Sequence, residues 1–353
     1  MKIAYLSNST VPSKKANSVH VMKMCNAFHN QDVQILLFAL EPYSKTVQDI
    51  FMHYGTDRFK VDLVKSRRIP GFWVLFALYS ISKVILFRPK YVYGRNILAC
   101  WFSTVLGYRT IVEVHQPPKH TNSGRDHLFF KRLSRSKNLH KIVVISNNLG
   151  IHLSEVYGLA PELIEVLHDG ADAIERVVGE DAVKDRFQVG YFGSVYQGRG
   201  IELLINLASR ISLADFHIIG GTSQDIQRLV GTSDFEDLSN LYIHGFISPK
   251  DVPLKMDKMD CLVAPYQREV RTSVGSDTSK WMSPLKIFEY MSSGKPIIAS
   301  SLPAIEEILE HEETALLCDA SSVEEWELCL VSLMQDKKKR SYLGANARDL
   351  FLK

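Results

Sequence analysis

The sequence predicts an α/β protein built from two doubly wound, Rossmann-like domains. Its 353 residues are too many for one ordinary core and suit two domains. Apolar runs alternate with helical patterns throughout the chain, and runs that are apolar on both sides indicate strands buried in parallel sheets. Glycines such as Gly94, Gly193 and Gly220 follow several of these runs. They place loops at the carboxyl ends of strands, where open α/β sheets bind ligands.

Short apolar runs in both halves are the predicted strands. They are Ile3–Leu6, Val33–Phe38, Tyr91–Tyr93, Thr110–Val114 and Lys141–Ile145 in the first half, and Val189–Phe192, Asp215–Ile219, Leu241–Ile243, Cys261–Ala264, Pro296–Ala299 and Ala315–Leu317 in the second. The turn signal Asp169-Gly170 precedes a charged, weakly patterned stretch. We therefore predict an N-terminal domain of residues 1–170, a linker of residues 171–187 and a C-terminal domain of residues 188–353.

Composition favours a soluble protein of a reducing cytoplasm. Hydrophobic residues make up 46% and charged residues 23%, which is the balance of a globular protein. The five cysteines form no CxxC pair, which argues against a disulfide framework or a zinc knuckle, and no secretory signal opens the chain. The longest apolar stretch, Gly71 to Phe87, is interrupted by Ser80, Ser82 and Lys83. It predicts an amphipathic helix packed on a sheet rather than a membrane span.

Charge is distributed unevenly between the two halves. Residues 1–174 contain 22 Lys+Arg and 12 Asp+Glu, a net charge of +10, whereas the remainder contains 20 and 27, a net charge of −7. Lys65, Arg67 and Arg68 lead into the apolar stretch. The basic half suits an anionic membrane at the inner face of the cell or a phosphate-bearing acceptor, and it is equally compatible with a solvated face that has no partner. We expect no nucleic-acid partner.

The segment from Ser283 to Pro296 predicts a helix with an anion site at its start. Its boundary signals are Ser283 as N-cap, Pro284 in the first turn and Gly294 as the stop. The free N–H groups of Leu285 and Lys286, the helix dipole and the Lys286 ammonium would attract an anion. Glu289, one turn further on, would accept hydrogen bonds from two adjacent hydroxyls, as on a ribose. Spacing alone equally allows a carboxylate that only pairs locally.

A glycine-rich loop is predicted between Gly190 and Ile201. A strand ends at Phe192, and Gly193 opens a loop whose backbone can approach a phosphate closely. Arg199 presents a planar fork suited to diphosphate oxygens. Many tight turns need glycine without binding anything, so this segment alone leaves both interpretations open.

Two N-terminal segments carry further polar groups. His115 ends a strand and precedes two prolines. It is either a polar contact at a reacting centre or a histidine hydrogen-bonded to backbone at the sheet edge. The loop Asn8–Asn17 precedes a helix predicted over Ser18–His29, with Ser18 as its N-cap. This loop either closes over a ligand or is an exposed turn.

Several catalytic motifs are absent from the sequence. It contains no zinc pattern, no GxSxG elbow and no Walker loop. It also contains no DxD pair of the kind that holds Mg²⁺ on a nucleotide sugar. We therefore expect donor binding without an obligatory metal.

Taken in order, these segments resemble family-4-type retaining glycosyltransferases of the GT-B fold, in which two Rossmann-like domains face each other across a cleft. The resemblance spans nearly the whole chain. Its C-terminal segments are Ser283–Pro296, Phe192–Gly200, Phe216–Gly221, Ile243–Ile247 and Cys261–Tyr266, and its N-terminal segments are Ala16–His20, Tyr93–Asn96, Glu113–His115 and His168–Asp172.

The resemblance implies transfer from a nucleoside-diphosphate sugar, with retention and without metal or another cofactor. The acceptor would be a glycan or a lipid-linked molecule, in cell-surface polysaccharide synthesis. The implied catalytic residues are His115, Arg199 and Lys286. The implied donor-binding residues are Gly193, Ser194, Arg199, Phe246, Ile247, Leu285, Lys286 and Glu289, and those of the acceptor side or the loop are Ala16, Asn17 and Arg95.

Each implied role follows the family pattern. Glu289 would bind the ribose, Arg199 and the backbone near Leu285 would hold the diphosphate, and His115 would contact the transferred sugar. Phe246 and Ile247 would lie beside the base. The leaving diphosphate would itself take the acceptor's proton, so the protein would act by positioning and charge stabilisation.

The chain departs from the family pattern at several positions. Trp281 stands in place of the first of two paired glutamates, Ser194 in place of an arginine, and Arg199 in place of a lysine. Lys286 is the nearest replacement for the cation lost at Ser194. The chain ends at Lys353, whereas many members continue into a helix that returns to the first domain, so that helix is either dispensable or truncated. Trp281 and Ser194 keep open the alternative of a catalytically silent sugar-nucleotide-binding module. A GT-B-fold epimerase or phosphorylase is a further alternative, although the sequence shows no motif for the cofactor lysine pocket of a phosphorylase.

Overall fold

The chain divides into two compact units, Met1–Leu167 and His168–Lys353. The computed structural model describes residues 1–13, 15–42, 49–65, 69–118, 125–174, 185–222, 224–225, 238–248, 251–270 and 278–353. The predicted linker stays a prediction, because residues 175–184 within it lie outside the described residues. Arg67 and Arg68 of the predicted basic segment also lie outside them.

The N-terminal unit is built on a seven-stranded parallel sheet in the order β3-β2-β1-β4-β5-β6-β7. Its strands are β1 (Lys2–Thr10), β2 (Gln34–Glu41), β3 (Lys60–Lys65), β4 (Tyr91–Gly94), β5 (Thr110–Val114), β6 (Leu139–Val144) and β7 (Ile164–Val166). The central strands are apolar on both faces because helices cover both sides of the sheet, and Tyr5, Leu37 and Phe38 are fully buried. The strand order reverses between β1 and β4, which defines the switch point of a doubly wound sheet.

Helices of the N-terminal unit connect these strands. They are α1 (Ala16–Asn30), α2 (Ile50–Tyr54), α3 (Phe72–Phe87), α4 (Ile97–Val105), α5 (Asp126–Leu133) and α6 (Asn147–Tyr157). Ser18 was predicted to cap α1, but the helix begins at Ala16 and Lys15 occupies the N-cap position. The Ser18 hydroxyl instead lies within hydrogen-bond distance of the carbonyl oxygens of Ser13 and Lys15, at 2.9 Å and 2.8 Å. The predicted Ser18 cap is therefore wrong, because that side chain closes the preceding turn.

The C-terminal unit is built on a six-stranded parallel sheet in the order β10-β9-β8-β11-β12-β13. Its strands are β8 (Phe187–Phe192), β9 (Ala214–Ile219), β10 (Leu241–Gly245), β11 (Cys261–Ala264), β12 (Ile297–Ser300) and β13 (Leu316–Cys318). Its helices are α7 (Ile201–Arg210), α8 (Val252–Asp257), α9 (Leu285–Ser293), α10 (Pro303–Glu306), α11 (Val323–Gln335) and α12 (Lys337–Phe351). The two sheets confirm the prediction of two doubly wound parallel α/β domains.

Helix α3 departs from the amphipathic pattern that was predicted for it. Phe76, Ala77, Ile81 and Val84 are buried on one face. The other faces are also largely apolar, and the exposed residues there are Trp73, Val74, Leu75, Leu78, Tyr79, Ile85 and Leu86. The helix is therefore apolar on almost all sides and only half covered by its own unit. Among the described residues, no helix combines the length and apolar character needed to cross a membrane.

The last helix, α12, packs against the C-terminal end of α9. A Cβ added at Gly344 of α12 would lie 2.2 Å from the carbonyl oxygen of Gly294, the residue that ends α9. Arg348 of α12 donates to the carbonyl oxygens of Ser292 and of Ile174, the latter at 3.0 Å. The two helices thus meet backbone to backbone at the end of α9.

Candidate active site

The carboxyl ends of β8 and β11 lie side by side at the switch point of the C-terminal sheet. These strands are hydrogen-bonded neighbours, and the chain proceeds outward from them in opposite directions, to β9 and to β12. Ligand crevices of open α/β sheets form at such a point. The loops that begin at Gly193 and at Pro265 therefore frame the candidate site of this unit.

Gly193 lets the loop backbone approach a lysine. Its φ is 144°, and its N–H donates to the carbonyl of Ile219 at 2.9 Å. A Cβ at this position would lie 2.8 Å from Lys286 Nζ. The next residue is Ser194, whose carbonyl accepts a hydrogen bond from the Tyr191 hydroxyl at 2.6 Å. The loop is thus fixed between the sheet below it and α9 beside it.

The Lys286 ammonium is buried against aromatic rings. The residue is 8% exposed, and its Nζ lies 3.9 Å from the ring centroid of Tyr191 and 4.9 Å from that of Tyr266. No atom of the described residues accepts a hydrogen bond from this nitrogen. Burial, reinforced by Arg199 and opposed by Glu289, holds the pKa of Lys286 well below its usual value. A buried cation with only ring faces for partners favours the entry of an anion.

Arg199 brings a second cation to the same aromatic ring. Its guanidinium carbon lies 5.0 Å from the ring centroid of Tyr266, and its Nε is buried without a hydrogen-bond partner among the described residues. Gly200 places it there, because φ is 74° and a Cβ would lie 1.8 Å from the carbonyl oxygen of Pro265. Arg199 and Lys286 repel each other across Tyr266, and an anion between them would relieve that repulsion.

Helix α9 starts without a side-chain cap. Its N-cap residue is Pro284, and no side chain bonds to the first N–H groups. Ser283 was predicted as the N-cap, but it lies one residue earlier, and its hydroxyl oxygen accepts from the Asp169 N–H at 2.8 Å. The predicted Ser283 cap is therefore wrong. The consequence is that no side chain competes with a ligand for the N–H groups of Leu285 and Lys286.

Glu289 lies one turn inside α9 and is half-buried. Burial raises its pKa to about 7, an effect that Lys286 opposes and Asp172 supports. Near neutral pH this carboxyl is therefore balanced between its two protonation states. Hydroxyl groups that donate to it would favour the ionised form.

The remaining residues of the predicted donor site follow β10. Phe246 is 56% exposed and Ile247 is half-buried. The N–H of Gly220 donates to the carbonyl of Gly245 at 2.7 Å, which joins the ends of β9 and β10. The structure thus brings Gly193, Arg199, Lys286 and Glu289 close together, and it places Phe246 and Ile247 two strands away at the same edge of the sheet.

The N-terminal unit has its own polar cluster, centred on Glu113 of β5. The Glu113 side chain is 2% exposed, and Oε2 accepts a hydrogen bond from the Tyr5 hydroxyl at 2.8 Å. Oε1 contacts His115 Nε2, and it lies 2.8 Å from His20 Nε2 and 3.9 Å from Arg95 Nε. Burial opposes ionisation, but His115, His20 and Arg95 outweigh it and hold the pKa of Glu113 well below its usual value.

Of the residues predicted for the acceptor side or the loop, Arg95 lies next to this cluster. Arg95 follows β4 and has a largely buried side chain, whereas Ala16 and Asn17 are exposed at the start of α1. His20, Glu113 and His115 offer ligand atoms within 4.8 Å of one another, a set that a divalent cation would accept. The Arg95 guanidinium beside the same carboxylate oxygen opposes a cation at that position.

Four residues of these clusters were not predicted as site residues. Glu113 and His115 are two positions apart and therefore point to the same face of the strand end, which was a usable signal for Glu113. His20 sits one turn inside α1, where only the tertiary fold brings it to Glu113. Tyr191 lies within a predicted strand and Tyr266 follows another, and the rings of both contact the site cations.

Both units, with their polar loops at the carboxyl edges of parallel sheets, define a protein of the GT-B glycosyltransferase fold. Solved structures have the same fold. Over 99% of its length the chain matches Anabaena Alr3699/HepE in complex with UDP, with a TM-score of 0.74, 16% identity and 94% of that chain covered. It also matches a glycosyltransferase from Rickettsia africae ESF-5 over 99% of its length, with a TM-score of 0.75, 14% identity and 93% of that chain covered.

Sequence families identify the two units more closely. The profile described as Glycosyltransferase Family 4 matches residues 18–174, and the profile described as Glycosyl transferases group 1 matches residues 186–336. The chain therefore belongs to the glycosyltransferases, with a family-4 domain followed by a group-1 domain. The resemblance to family-4-type glycosyltransferases of the GT-B fold is confirmed.

One curated relative matches a shorter segment. It is described as a teichuronic acid biosynthesis glycosyltransferase, TuaH, of Bacillus subtilis (strain 168), and is 33% identical over 67 residues. The match covers 19% of this chain and 15% of the relative's length. What that protein acts on is therefore not established for this chain by the match.

Proposed function

We propose that this glycosyltransferase transfers a sugar from a nucleoside-diphosphate sugar to a glycan or lipid-linked acceptor, with retention and without a metal. The observation that supports this best is the pair of cations at the start of α9. Lys286 and Arg199 flank the ring of Tyr266, and each has a buried nitrogen without a hydrogen-bond partner among the described residues. A diphosphate supplies the missing acceptors and the opposite charge.

The proposed chemistry is charge stabilisation at the leaving group. As the bond between sugar and diphosphate breaks, negative charge grows on the phosphate oxygens. In this proposal Lys286, Arg199 and the uncapped N–H groups of α9 stabilise that charge, and their fixed positions keep the reorganisation small. Glu289 would hold the ribose hydroxyls, and the leaving diphosphate would take the acceptor's proton.

The proposed metal independence rests on the balance between the positive charges of the site and the negative charges of the diphosphate. Two cations and the positive end of a helix offset the roughly two negative charges of a diphosphate, the task that Mg²⁺ performs elsewhere. Activity should then persist when the enzyme is assayed in excess EDTA. Loss of activity in EDTA that Mg²⁺ or Mn²⁺ restores would contradict this part of the proposal. Retention is tested by the anomeric configuration of the product.

The donor base is best tested first with uridine, because a structure of the similar fold of Alr3699/HepE holds UDP. The measurement is a thermal shift with UDP, GDP, ADP and dTDP. A ligand at one hundred times its Kd adds about 2.7 kcal/mol to the folded state. Loss of the shift in Arg199→Ala would support the site, whereas an unchanged shift would contradict it. Nucleotide binding without donor hydrolysis or transfer would identify a catalytically silent module.

The acceptor is proposed from the match to TuaH and from the surface of α3. The exposed side chains of Leu75, Leu78 and Leu86 form one stripe of this helix. The first 174 residues carry a net charge of +10. Exposed apolar side chains on a unit with excess positive charge suit the interface of an anionic bilayer. We therefore place the enzyme at the membrane face where lipid-linked intermediates of a cell-surface polysaccharide are found.

Vesicle co-sedimentation tests the membrane proposal. The wild type should sediment with vesicles containing phosphatidylglycerol and less with pure phosphatidylcholine. Leu75→Glu with Leu86→Glu should abolish sedimentation. A matched control is Leu328→Glu, since Leu328 is an exposed leucine on a helix of the other unit. Equal sedimentation of the control and the double variant would overturn the assignment to α3.

A further inference from the structure

Two thiols of the C-terminal unit lie against each other, outside the candidate active site. Cys318 is the last residue of β13, and Cys329 lies in the middle of α11. The Cys318 S–H donates to Cys329 Sγ at 3.2 Å. The sulfur atoms of a disulfide are about 2.05 Å apart, so these two atoms must approach by about 1.2 Å to bond. The pair therefore needs only a small movement to become a disulfide.

The connection between β13 and α11 holds the two thiols together. It consists of residues 319–322, and it is bonded to the first turn of the helix. The Trp326 indole donates to the carbonyl oxygen of Asp319 at 3.1 Å, and the Asp319 N–H donates to the Glu325 carboxylate at 2.8 Å. Trp326 itself is fully buried. The start of α11 is thus fixed to the end of β13, and the fold keeps the pair in contact.

The two thiols differ in exposure and in acidity. Cys318 is 1% exposed, whereas Cys329 is half-buried. The hydrogen bond from Cys318, helped by the charge of Lys339, lowers the pKa of Cys329 against the effect of burial. The same hydrogen bond and burial raise the pKa of Cys318. Since the thiolate is the nucleophile, Cys329 is the reactive thiol and also the one nearer to solvent.

We propose that Cys318 and Cys329 form an oxidation site for a hydroperoxide, in which Cys329 reacts with the peroxide and Cys318 closes an intramolecular disulfide behind it. In the first step the Cys329 thiolate attacks a peroxide oxygen and the O–O bond breaks. Cys329 becomes a sulfenic acid, and the leaving hydroxide takes a proton from solvent. In the second step the Cys318 sulfur attacks Cys329, and the sulfenic hydroxyl leaves with the Cys318 proton as water. One dithiol and one hydrogen peroxide thus give a disulfide and water.

The position of Cys318 makes this oxidation reversible. A sulfenic acid that meets no thiol is oxidised further to sulfinic acid, which thiols do not reduce. Cys318 is already in contact with Cys329 and can capture the sulfenic acid first, and a dithiol reductant then restores both residues. No residue of the proposed diphosphate site takes part, so the site does not depend on the proposed transferase function.

The first test is mass spectrometry of the wild type after stoichiometric hydrogen peroxide, which needs no variant to fold. The chain should lose about 2 Da, and dithiothreitol should reverse the loss. Peptide mapping should locate the disulfide between Cys318 and Cys329. Two thiols that stay free in excess peroxide would overturn the proposal. Sulfinic acid at Cys329 as the main product, or a disulfide to a second copy of the chain, would overturn it as well.

The second test removes the capturing thiol. In Cys318→Ala no intramolecular disulfide should form, and dimedone should trap the sulfenic acid at Cys329. The matched control is Cys261→Ala, because Cys261 is a fully buried thiol of the same apolar cluster as Cys318. The control should form the disulfide in the same yield as the wild type. A disulfide that persists in Cys318→Ala, or one that is lost in Cys261→Ala, would show that the pair is wrongly assigned.

Discussion

Replacing Lys286 with methionine should change stability and activity in opposite directions. Methionine keeps much of the apolar length of the side chain and removes the charge. In the free protein the ammonium is 8% exposed and has no hydrogen-bond acceptor among the described residues. Its attraction to ring faces, worth ~2 kcal/mol when desolvated, offsets only part of the several kcal/mol that burying an ion costs. We expect Lys286→Met to raise the unfolding free energy by ~1–2 kcal/mol.

The pH dependence of stability gives a second measure of this effect. Because burial depresses the pKa of Lys286 in the folded state, the unfolded chain binds more protons below its own value of about 10.4. The wild type therefore loses stability as pH falls from about 10.4 towards the folded pKa, below which the loss is complete, and the variant lacks that loss. The melting temperature of Lys286→Met should exceed that of the wild type by ~2–4 °C for each kcal/mol gained in unfolding free energy, as is typical of a domain of this size.

Activity should fall in the same variant. Removing one charge-stabilising donor costs ~3 kcal/mol in the transition state, about 10²-fold in kcat. The matched control is Lys295→Met, since Lys295 Nζ lies 3.5 Å from Asp257 Oδ1 and donates to the Asp257 carbonyl. The control should keep both its turnover and its thermal shift with nucleotide. A lower melting temperature together with normal turnover in Lys286→Met would refute the argument and show that the ammonium only supports the fold.

Three further outcomes are expected. Because the pKa of Glu289 is about 7, binding of a nucleotide sugar should release a proton near that pH, and the affinity should fall by up to ~10-fold for each pH unit below it. Calorimetry in buffers of different ionisation enthalpy measures the proton release, which should be absent in Glu289→Gln. Gly200→Ala should lower the unfolding free energy by more than ~2 kcal/mol, because the added Cβ would clash with the Pro265 carbonyl oxygen and φ is positive. Gly71→Ala is the control: its φ of 77° is also positive, but a Cβ there meets nothing within 4 Å, so the unfolding free energy should fall by only ~1 kcal/mol. Thermal melts of both variants measure the difference. Arg199→Ala should reduce kcat about as much as Lys286→Met, and normal turnover in either variant would remove that residue from the diphosphate site.

The sequence predicted the central strands of both sheets and the edge strands of the C-terminal sheet, but it missed the edge strands of the N-terminal sheet. Cys261–Ala264 and Thr110–Val114 were predicted with the bounds that the structure has, because these strands are buried on both faces. The strands that were missed, Lys60–Lys65 and Ile164–Val166, form the two edges of the N-terminal sheet. Neither of these two strands contains a fully buried residue and both carry charged residues, so a search for runs that are apolar on both sides passes over them.

The candidate site was only partly predictable for a similar reason. Glycine loops and a helix start have local sequence signals, which is why Gly193, Arg199 and Lys286 were named. The contacts that give these groups their chemistry are not local. The link between Lys286 and Tyr191 spans two different elements, and that between Glu113 and His20 depends on how α1 returns to the sheet. Distances of this kind follow from the assembled fold and leave no periodic pattern in the sequence.

The contact between Gly344 and the Gly294 carbonyl carries a consequence for how this sequence can diverge. The two positions are far apart along the chain and share no motif, yet a side chain at one collides with the backbone of the other. Substitution of Gly344 is therefore tolerated only if α12 also shifts. Such a shift would break the hydrogen bonds from Arg348 to the carbonyl oxygens of Ser292 and Ile174. Homologues that keep this helix in place should retain glycine at 344, even where the surface residues of the same helix have changed.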